Sequence, residues 1–384
     1  MSGGPHAAAV TPSIERDRRA MGRALELAAR GLETTHPNPR VGCVILKGDR
    51  VIGEGWHEWA GEAHAEVAAL RAARAGGAAE ALAGATAYVT LEPCSHQGRT
   101  PPCADALIEA RMGRVVFAMQ DPDPRVSGRG AERLRRAGIE VESGLMEHEA
   151  AELNVGYIKR LRARRPWVRV KLAASLDGRT ALASGASRWI TGEDARLDVQ
   201  HWRARSSAVL TGIGTILADD PRLDVRLPGE RVRQPTRVVL DRRLRTPVDA
   251  RVNGGPGEVW IFTDSEDVER RRALEAKGVR VERLERDCPD PAGDTLDLRR
   301  VLARLAEADV NELHVEAGAT LAGALVHARL ADELLLYVAP ILLGPQARPL
   351  VDLPQLLDLR DASRWHIVET RLVGADLRIR LRPH

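Results

Sequence analysis

The segment 41-VGCVILKGDRVIGEGWHEWAGEAHAEVAAL-70 decides how the first part of the chain folds. It holds two apolar runs, VGCVIL (41–46) and RVIGEGW (50–56), parted by the turn Lys47-Gly48-Asp49. Short apolar runs joined by a Gly-containing turn predict an antiparallel strand pair. The amphipathic stretch that follows predicts a helix over 64–75, opened by His-Ala-Glu at 64–66. A histidine and a carboxylate two positions apart can arise by chance on any charged surface helix. Residues some thirty positions further on give the pair its meaning.

The stretch 91-LEPCSHQGRTPPC-103 supplies Cys94 and Cys103. The second cysteine stands at the start of a predicted helix (102–111) introduced by two prolines, whose missing N–H would find no partner there anyway. A catalytic zinc takes three protein ligands and leaves a position open to water. His64, Cys94 and Cys103 form such a set, and the positive ends of two helices would favour thiolates over thiols. Glu66 faces the same site without being a ligand. It can take a proton from an attacking water and pass it to a leaving amine, as in nucleobase deaminases. A purely structural zinc clip would need no such carboxylate. Cys43 lies inside a strand and reads as a small buried hydrophobe. Cys288, in a loop rich in Pro and Asp, is given no role.

The remainder of the first half alternates helix-like and strand-like pieces. A helix is expected over about 14–31, strands at 85–91, 114–119 and 139–144, and a helix near 128–137. Such alternation favours a sheet covered by helices. At 384 residues two domains are expected. The expected divisions are a disordered tail at 1–13, a first domain at 14–150 carrying the zinc-dependent deaminase motifs, a connecting segment at 151–166 and a second domain at 167–384. The resemblance described below implies that these domains are a pyrimidine deaminase and a reductase. In the second half, VRVKLAASL, AVLTG, TRVVL, EVWIFT, VRVERL, ELHVEA and ELLLYVAP read as strands, with a helix near 191–204.

Composition excludes several functions. Basic and acidic residues nearly balance, 57 against 54, and only 3% of residues are aromatic. Nucleic-acid binding would have little electrostatic attraction or base stacking to draw on, which argues against a nucleic-acid deaminase. No apolar run approaches the roughly 20 residues of a membrane span. Four cysteines in a chain of this length make no disulfide framework. The expected compartment is the cytoplasm. Neither nucleic acid nor membrane is expected as a partner; further copies of the chain in a homo-oligomer are, and the small-molecule phosphoribosyl-pyrimidine partner is what the resemblance given next implies.

The spacing C-x8-C differs from the usual P-C-x-x-C of deaminases. With THPNPRVGCVI (35–45), GWHEWAGEAHAE (55–66) and DPDPRVSGRG (121–130), it closely resembles the deaminase half of the bifunctional deaminase/reductases of riboflavin biosynthesis. VKLAASLDGRTA (170–181), SRWITG (187–192), TGIGTILADDPRLDVR (211–226) and VEAGATLAGAL (315–325) resemble the reductase half. The resemblance implies an α/β protein: a cytidine-deaminase-like three-layer α/β/α domain, then a dihydrofolate-reductase-like α/β domain. It implies zinc-dependent hydrolysis of an amino group on a diamino-ribosylamino-pyrimidinone 5'-phosphate, then NADPH-dependent reduction of the ribosyl group to ribityl. One zinc would sit on His64, Cys94 and Cys103, with Glu66 as proton shuttle. Asn38 and the loop 96–100 would hold base and sugar phosphate. The family usually has D-P-N-P where this chain has Asp123 in D-P-D-P, which weakens a phosphate-binding role for that position.

In the second half the residues alone say less. VEAGATLAG follows a strand and opens a helix, an arrangement that lets backbone amides approach a phosphate, but it lacks the G-x-G-x-x-G fingerprint. Arg203 and Arg226 could each clamp a phosphate, yet single arginines in so arginine-rich a chain are usually solvated. The resemblance places Ala173, Trp189, Thr215, Asp219 and the turn Gly318, Ala319, Thr320, Leu321, Ala322, Gly323, Ala324 against NADPH. It places Ser187, Arg203, Leu223, Arg226 and Glu316 on the substrate, with Lys171 and Asp219 flanking the reaction centre. Lys171 would polarise or position the sugar carbon that accepts hydride.

Overall fold

A computed structural model describes residues 12–95, 101–228, 232–285 and 296–384. The chain divides into two compact units, Met1–Arg162 and Ala163–His384.

In the first unit the elements run α1 (Pro12–Ala29), β1 (Gly42–Lys47), β2 (Arg50–Trp56), α2 (Ala65–Ala75), β3 (Thr86–Val89), α3 (Cys103–Glu109), β4 (Arg114–Phe117), α4 (Arg129–Arg136), β5 (Glu140–Ser143), α5 (Glu147–Leu153) and α6 (Val155–Ala163). The strands form one sheet in the order β2-β1-β3-β4-β5. β1 is antiparallel to β2 and β3, whereas β3, β4 and β5 are mutually parallel. Because side chains alternate along a strand, β1 feeds two cores at once. Cys43 and Ile45 pack with the buried faces of α2, α3 and α4, while Val44 and Leu46 pack with α1 and Ala150 of α5. The unit is therefore a helix–sheet–helix sandwich.

With so few aromatics the layers close by small residues. Ala65, Ala69 and Ala73 of α2 are fully buried. They meet glycines of β2: a Cβ on Gly55 would stand 2.4 Å from the Ala69 nitrogen and 2.7 Å from the Ala65 oxygen. Those are backbone atoms, so neither side can yield without moving α2. Gly55→Ala is expected to destabilise this unit by about 1–3 kcal/mol through overpacking. An unchanged thermal midpoint for the unit would show that α2 can step away from the sheet.

The second unit runs β6 (Trp167–Ser175), β7 (Arg179–Ala181), α7 (Glu193–Arg205), β8 (Ala208–Gly212), α8 (Ile213–Asp219), β9 (Thr236–Leu240), β10 (Val259–Thr263), α9 (Val268–Glu275), β11 (Arg280–Arg283), α10 (Leu298–Glu307), β12 (Glu312–Glu316), α11 (Ala319–His327), β13 (Glu333–Ala339), β14 (Arg348–Pro349), β15 (Trp365–Val373) and β16 (Asp376–Pro383). Nine strands form a sheet in the order β11-β10-β9-β8-β12-β6-β13-β16-β15. All neighbours from β11 to β13 are parallel, and β16 and β15 add an antiparallel end. This mixed α/β unit has the dihydrofolate-reductase-like character that the resemblance implies. The β15–β16 hairpin pairs apolar residues (Ile367 with Leu381, Leu372 with Leu377) and also carries Glu369 bridged to Arg378 and Arg380 across the strands.

The expectation that single arginines are solvated fails for Arg203, and also for Arg40, Arg169, Arg237 and Arg378, all of which are buried. Arg169 and Arg237 are the two largest fully buried side chains among the described residues. Arg237 donates to the carbonyls of Val252 (2.8 Å) and Gly257 (2.9 Å). Arg169 lies between two carboxylates from neighbouring strands.

Candidate active sites

His64 precedes α2 with extended backbone (φ −70°, ψ 160°) and makes no side-chain capping bond, so its ring is available as a ligand. Cys94 lies on the segment leaving β3, and Cys103 opens α3. The His64 Nδ1 stands 3.2 Å from the Cys103 sulfur and 3.7 Å from the Cys94 sulfur. The three ligand atoms lie within 4.8 Å of one another, and they are the one such metal-holding group among the described residues. Zinc–sulfur bonds of about 2.3 Å and zinc–nitrogen bonds of about 2.0 Å place tetrahedral ligand atoms roughly 3.5–3.8 Å apart. The donor set and its spacing fit zinc.

The electrostatics fit as well. The Cys94 sulfur is pushed down to about 4, first by its hydrogen bond with Cys103 and against the effect of burial; the Cys103 amide also donates to it at 3.3 Å. Cys103 is raised well above the ordinary thiol range by the same pairing and by burial. A metal bound by both sulfurs would hold them as thiolates. Glu66 is buried (3% exposed) in the first turn of α2. Burial, then the charge of Cys94, pushes its carboxyl up to about 7.

Sequence reasoning missed His57. It is buried, and its ring packs edge-on against His64 with centroids 5.5 Å apart. Burial lowers its pKa, so the ring is neutral. Its Nδ1 donates to the Ala63 carbonyl (3.0 Å), which leaves Nε2 to accept from the Asn38 side-chain amide (3.0 Å). His57 therefore fixes which way Asn38 presents its amide, leaving the Asn38 carbonyl oxygen free of that bond. The signal available in sequence was a histidine shortly before the metal motif, at a strand end. The loop 96–100, expected to hold the sugar phosphate, lies outside the described residues, as does Cys288. Asp123 is buried, and its carboxylate is bound by Arg125 through Nε (3.0 Å) and Nη2 (2.6 Å), so its charge is compensated locally.

In the second unit Glu316 ends the parallel strand β12, on the side where ligands usually bind in parallel α/β sheets, and its register partner is Lys171 in the middle of the longer strand β6. Arg203 from α7 binds both Glu316 oxygens, Nε to Oε1 at 2.5 Å and Nη2 to Oε2 at 2.9 Å, and donates to the Asp224 carbonyl at 2.9 Å. Burial pushes Glu316 up, but Arg203 more than offsets it and holds the carboxyl well below its usual range. Burial lowers Lys171, with Glu316 opposing, and the ammonium stands 5.9 Å from the Tyr337 ring centre. The fold thus brings Lys171, Arg203 and Glu316 together.

The other expected residues are dispersed around them. Ala173 is on β6 and Thr215 on α8, both partly buried. Ser187 and Trp189 occupy the segment before α7, where Trp189 is exposed beneath the Arg196 guanidinium at 4.5 Å. Asp219, exposed at the end of α8, accepts from Arg188 through its carbonyl (3.0 Å). Leu223 is buried at φ 56°, and Arg226 pairs with Asp224 at 2.5 Å. The expected turn 318–324 is the N-cap (Gly318) and first turns of α11. Gly318 and Thr320 are exposed and Ala319, Leu321 and Ala324 partly buried, but Ala322 is in the core and Gly323 lies against backbone, where a Cβ would come 1.9 Å from the Asp352 oxygen, so these last two face packing and not a ligand.

A three-ligand zinc cradle with a buried carboxylate beside it defines a zinc-dependent deaminase in the first unit, and a Lys/Glu/Arg cluster at a parallel sheet marks a second candidate centre in the other. Residues 14–119 match the cytidine and deoxycytidylate deaminase zinc-binding region, and residues 166–377 match the RibD C-terminal domain. The chain is 50% identical to riboflavin biosynthesis protein RibD of Escherichia coli over 376 residues, covering 95% of this chain and 99% of that protein. Among solved structures, RibD of Acinetobacter baumannii superposes with a TM-score of 0.88 at 45% identity, covering 96% of this chain and 99% of that one. A diaminohydroxyphosphoribosylaminopyrimidine deaminase/5-amino-6-(5-phosphoribosylamino)uracil reductase from Thermotoga maritima does so with a TM-score of 0.84 at 35% identity, with the same coverage. The chain belongs to the RibD family of bifunctional riboflavin-biosynthesis enzymes. Its first half is a zinc-dependent deaminase and its second an NADPH-dependent reductase.

Proposed function

We propose that this chain performs two successive steps on one phosphoribosyl-pyrimidine. The deaminase half removes an amino group from 2,5-diamino-6-(5-phosphoribosylamino)pyrimidin-4(3H)-one, and the reductase half converts the ribosyl group of the resulting aminouracil to ribityl. The observation that carries the reading is the approach of His64, Cys94 and Cys103 to metal-ligand distances with Glu66 buried beside them. When bound, zinc supplies Lewis-acid activation of a water molecule. Glu66 takes the proton from the attacking water and delivers it to the departing amine, a role its raised pKa suits. Asn38, aimed by His57, holds the base. In the second half Lys171 and Glu316 hold the sugar carbon toward the hydride of NADPH, and Arg203 keeps Glu316 ionised. Ala173, Trp189, Thr215, Asp219 and the start of α11 (Gly318, Ala319, Thr320, Leu321 and Ala324) take the cofactor, and Ser187, Leu223 and Arg226 the substrate; Ala322 and Gly323 are buried in packing and are left out.

The same proposal takes the deaminase to span 14–150 and the reductase 167–384, and places the protein in the cytoplasm as a homo-oligomer. No described helix is long and apolar enough to cross a membrane. Light scattering of the purified chain reads the oligomeric state; a monomer at micromolar concentration rejects that part.

The test of the function is a coupled assay. Supplied with the diaminopyrimidinone phosphate and NADPH, the enzyme should release ammonia first, and NADPH absorbance should fall only after deamination. Oxidation of NADPH without prior ammonia release would reverse the proposed order.

A further inference from the structure

We propose that Glu92 and Arg133 are positioning residues that set the separation of the two cysteine ligands through helix α4. The proposal rests on the assignment of zinc to His64, Cys94 and Cys103. Glu92 lies two residues before Cys94 and is buried (3% exposed). Its carboxylate accepts four backbone N–H groups from the 121–131 segment: Oε2 from Asp121 (3.3 Å) and Gly128 (2.9 Å), Oε1 from Gly130 (3.0 Å) and Ala131 (3.1 Å). The last three belong to the cap and first turn of α4, whose own cap residue, Gly128, has no side chain to offer. Glu92 therefore supplies from a different element the capping carboxylate that α4 lacks, where the helix dipole favours a negative charge. Contact here is close enough that a Cβ on Gly130 would stand 1.9 Å from the Pro93 oxygen, so the start of α4 lies directly on the backbone leading into Cys94.

One turn further along, Arg133 reaches both cysteine segments. Its Nε pairs with Asp105, two residues after Cys103, at 2.6 Å, and its Nη1 donates to the carbonyl of Ser95, the residue after Cys94, at 3.4 Å. The two segments are also joined directly, by Ala104 N–H to the Cys94 carbonyl (3.1 Å) and by Cys103 N–H to the Cys94 sulfur (3.3 Å). The chain of contacts Glu92–α4–Arg133 thus closes a ring around the two sulfurs. Neither residue touches the metal position; they act by restricting where Cys94 and Cys103 can go.

Outer partners of metal ligands typically change metal affinity about 10–100-fold when removed. In the full-length zinc-loaded enzyme, release of zinc to a chromogenic chelator is expected to be about 10–100-fold faster for Glu92→Gln, with a smaller acceleration for Arg133→Ala. Arg133 has a half-exposed side chain, so its truncation leaves the fold intact and carries the test if Glu92→Gln does not fold. With cobalt in place of zinc, the thiolate absorption of Arg133→Ala should shift, a signature that loss of stability alone does not produce. Release at the parental rate in Arg133→Ala overturns the proposal, as does faster release with an unmoved cobalt spectrum. A parent enzyme that holds no zinc would instead overturn the metal assignment.

Discussion

Glu66→Gln should abolish ammonia release while the chain keeps one zinc. The substitution preserves size and leaves His64, Cys94 and Cys103 in place, but an amide cannot carry the proton from water to the departing amine. Loss of a positioned general acid/base costs roughly 10²–10⁴ in rate. Burial makes the effect cleaner, because at 3% exposure bulk water has little access to stand in for the carboxylate. The bifunctional chain offers its own control: given the aminouracil product directly, the variant should oxidise NADPH at the parental rate. Ammonia release and zinc content, measured on the same preparation, check the expectation. Deamination above a tenth of the parental rate would remove Glu66 from the reaction, and loss of zinc would make it a support for the ligands instead.

Much of this deaminase centre is legible in the amino-acid sequence because its parts are local. His64 and Glu66 share one helix start, and Cys94 and Cys103 belong to one continuous stretch bounded by a strand and a helix. The apolar run at 41–46 is read as a strand paired with 50–56, and it is one, β1, buried on both faces. What stays hidden depends on contacts between distant segments. Glu92 reads as an ordinary residue at a strand end until the 121–131 segment folds onto it. Arg169 sits in VRVKLA, a pattern in which alternate polar residues normally face water; here that face is covered by Trp202 of α7. Its partners Glu312 and Glu333 lie 143 and 164 residues away. The reductase residues are legible only by resemblance, since a lysine inside a strand and an arginine on a helix carry no spacing of their own. Their register, Glu316 beside Lys171, arises only when β12 pairs with β6.

Arg169 also yields the largest expected change in stability. The side chain is fully buried, donating from Nε to Glu333 at 2.6 Å and from Nη1 to Glu312 at 3.0 Å, with its guanidinium 4.4 Å from the Trp202 ring centre. Glu333 retains Arg380 at 2.9 Å and Glu312 retains Arg205 at 3.0 Å, but each carboxylate loses the partner that faces it from the central strand. Breaking a buried ion pair from one side typically costs about 3–5 kcal/mol. Arg169→Met, which keeps much of the stem, should lower the unfolding midpoint of the reductase unit by roughly 6–20 °C, while the deaminase unit melts as before. The pH dependence identifies the cause. Burial pushes Glu333 up, but Arg169 and Arg380 outweigh it and hold the carboxyl at about 2, below its ordinary 4.5. A carboxyl depressed on folding adds stability above its unfolded pKa, and that stability is lost as pH falls through the folded one. The parent should therefore weaken between about pH 4.5 and 2. The variant has less of this stabilisation to lose, so the gap between the two proteins should narrow across the same interval. A gap that holds constant from pH 7 into that acid range would trace the loss to packing against Trp202 rather than to charge.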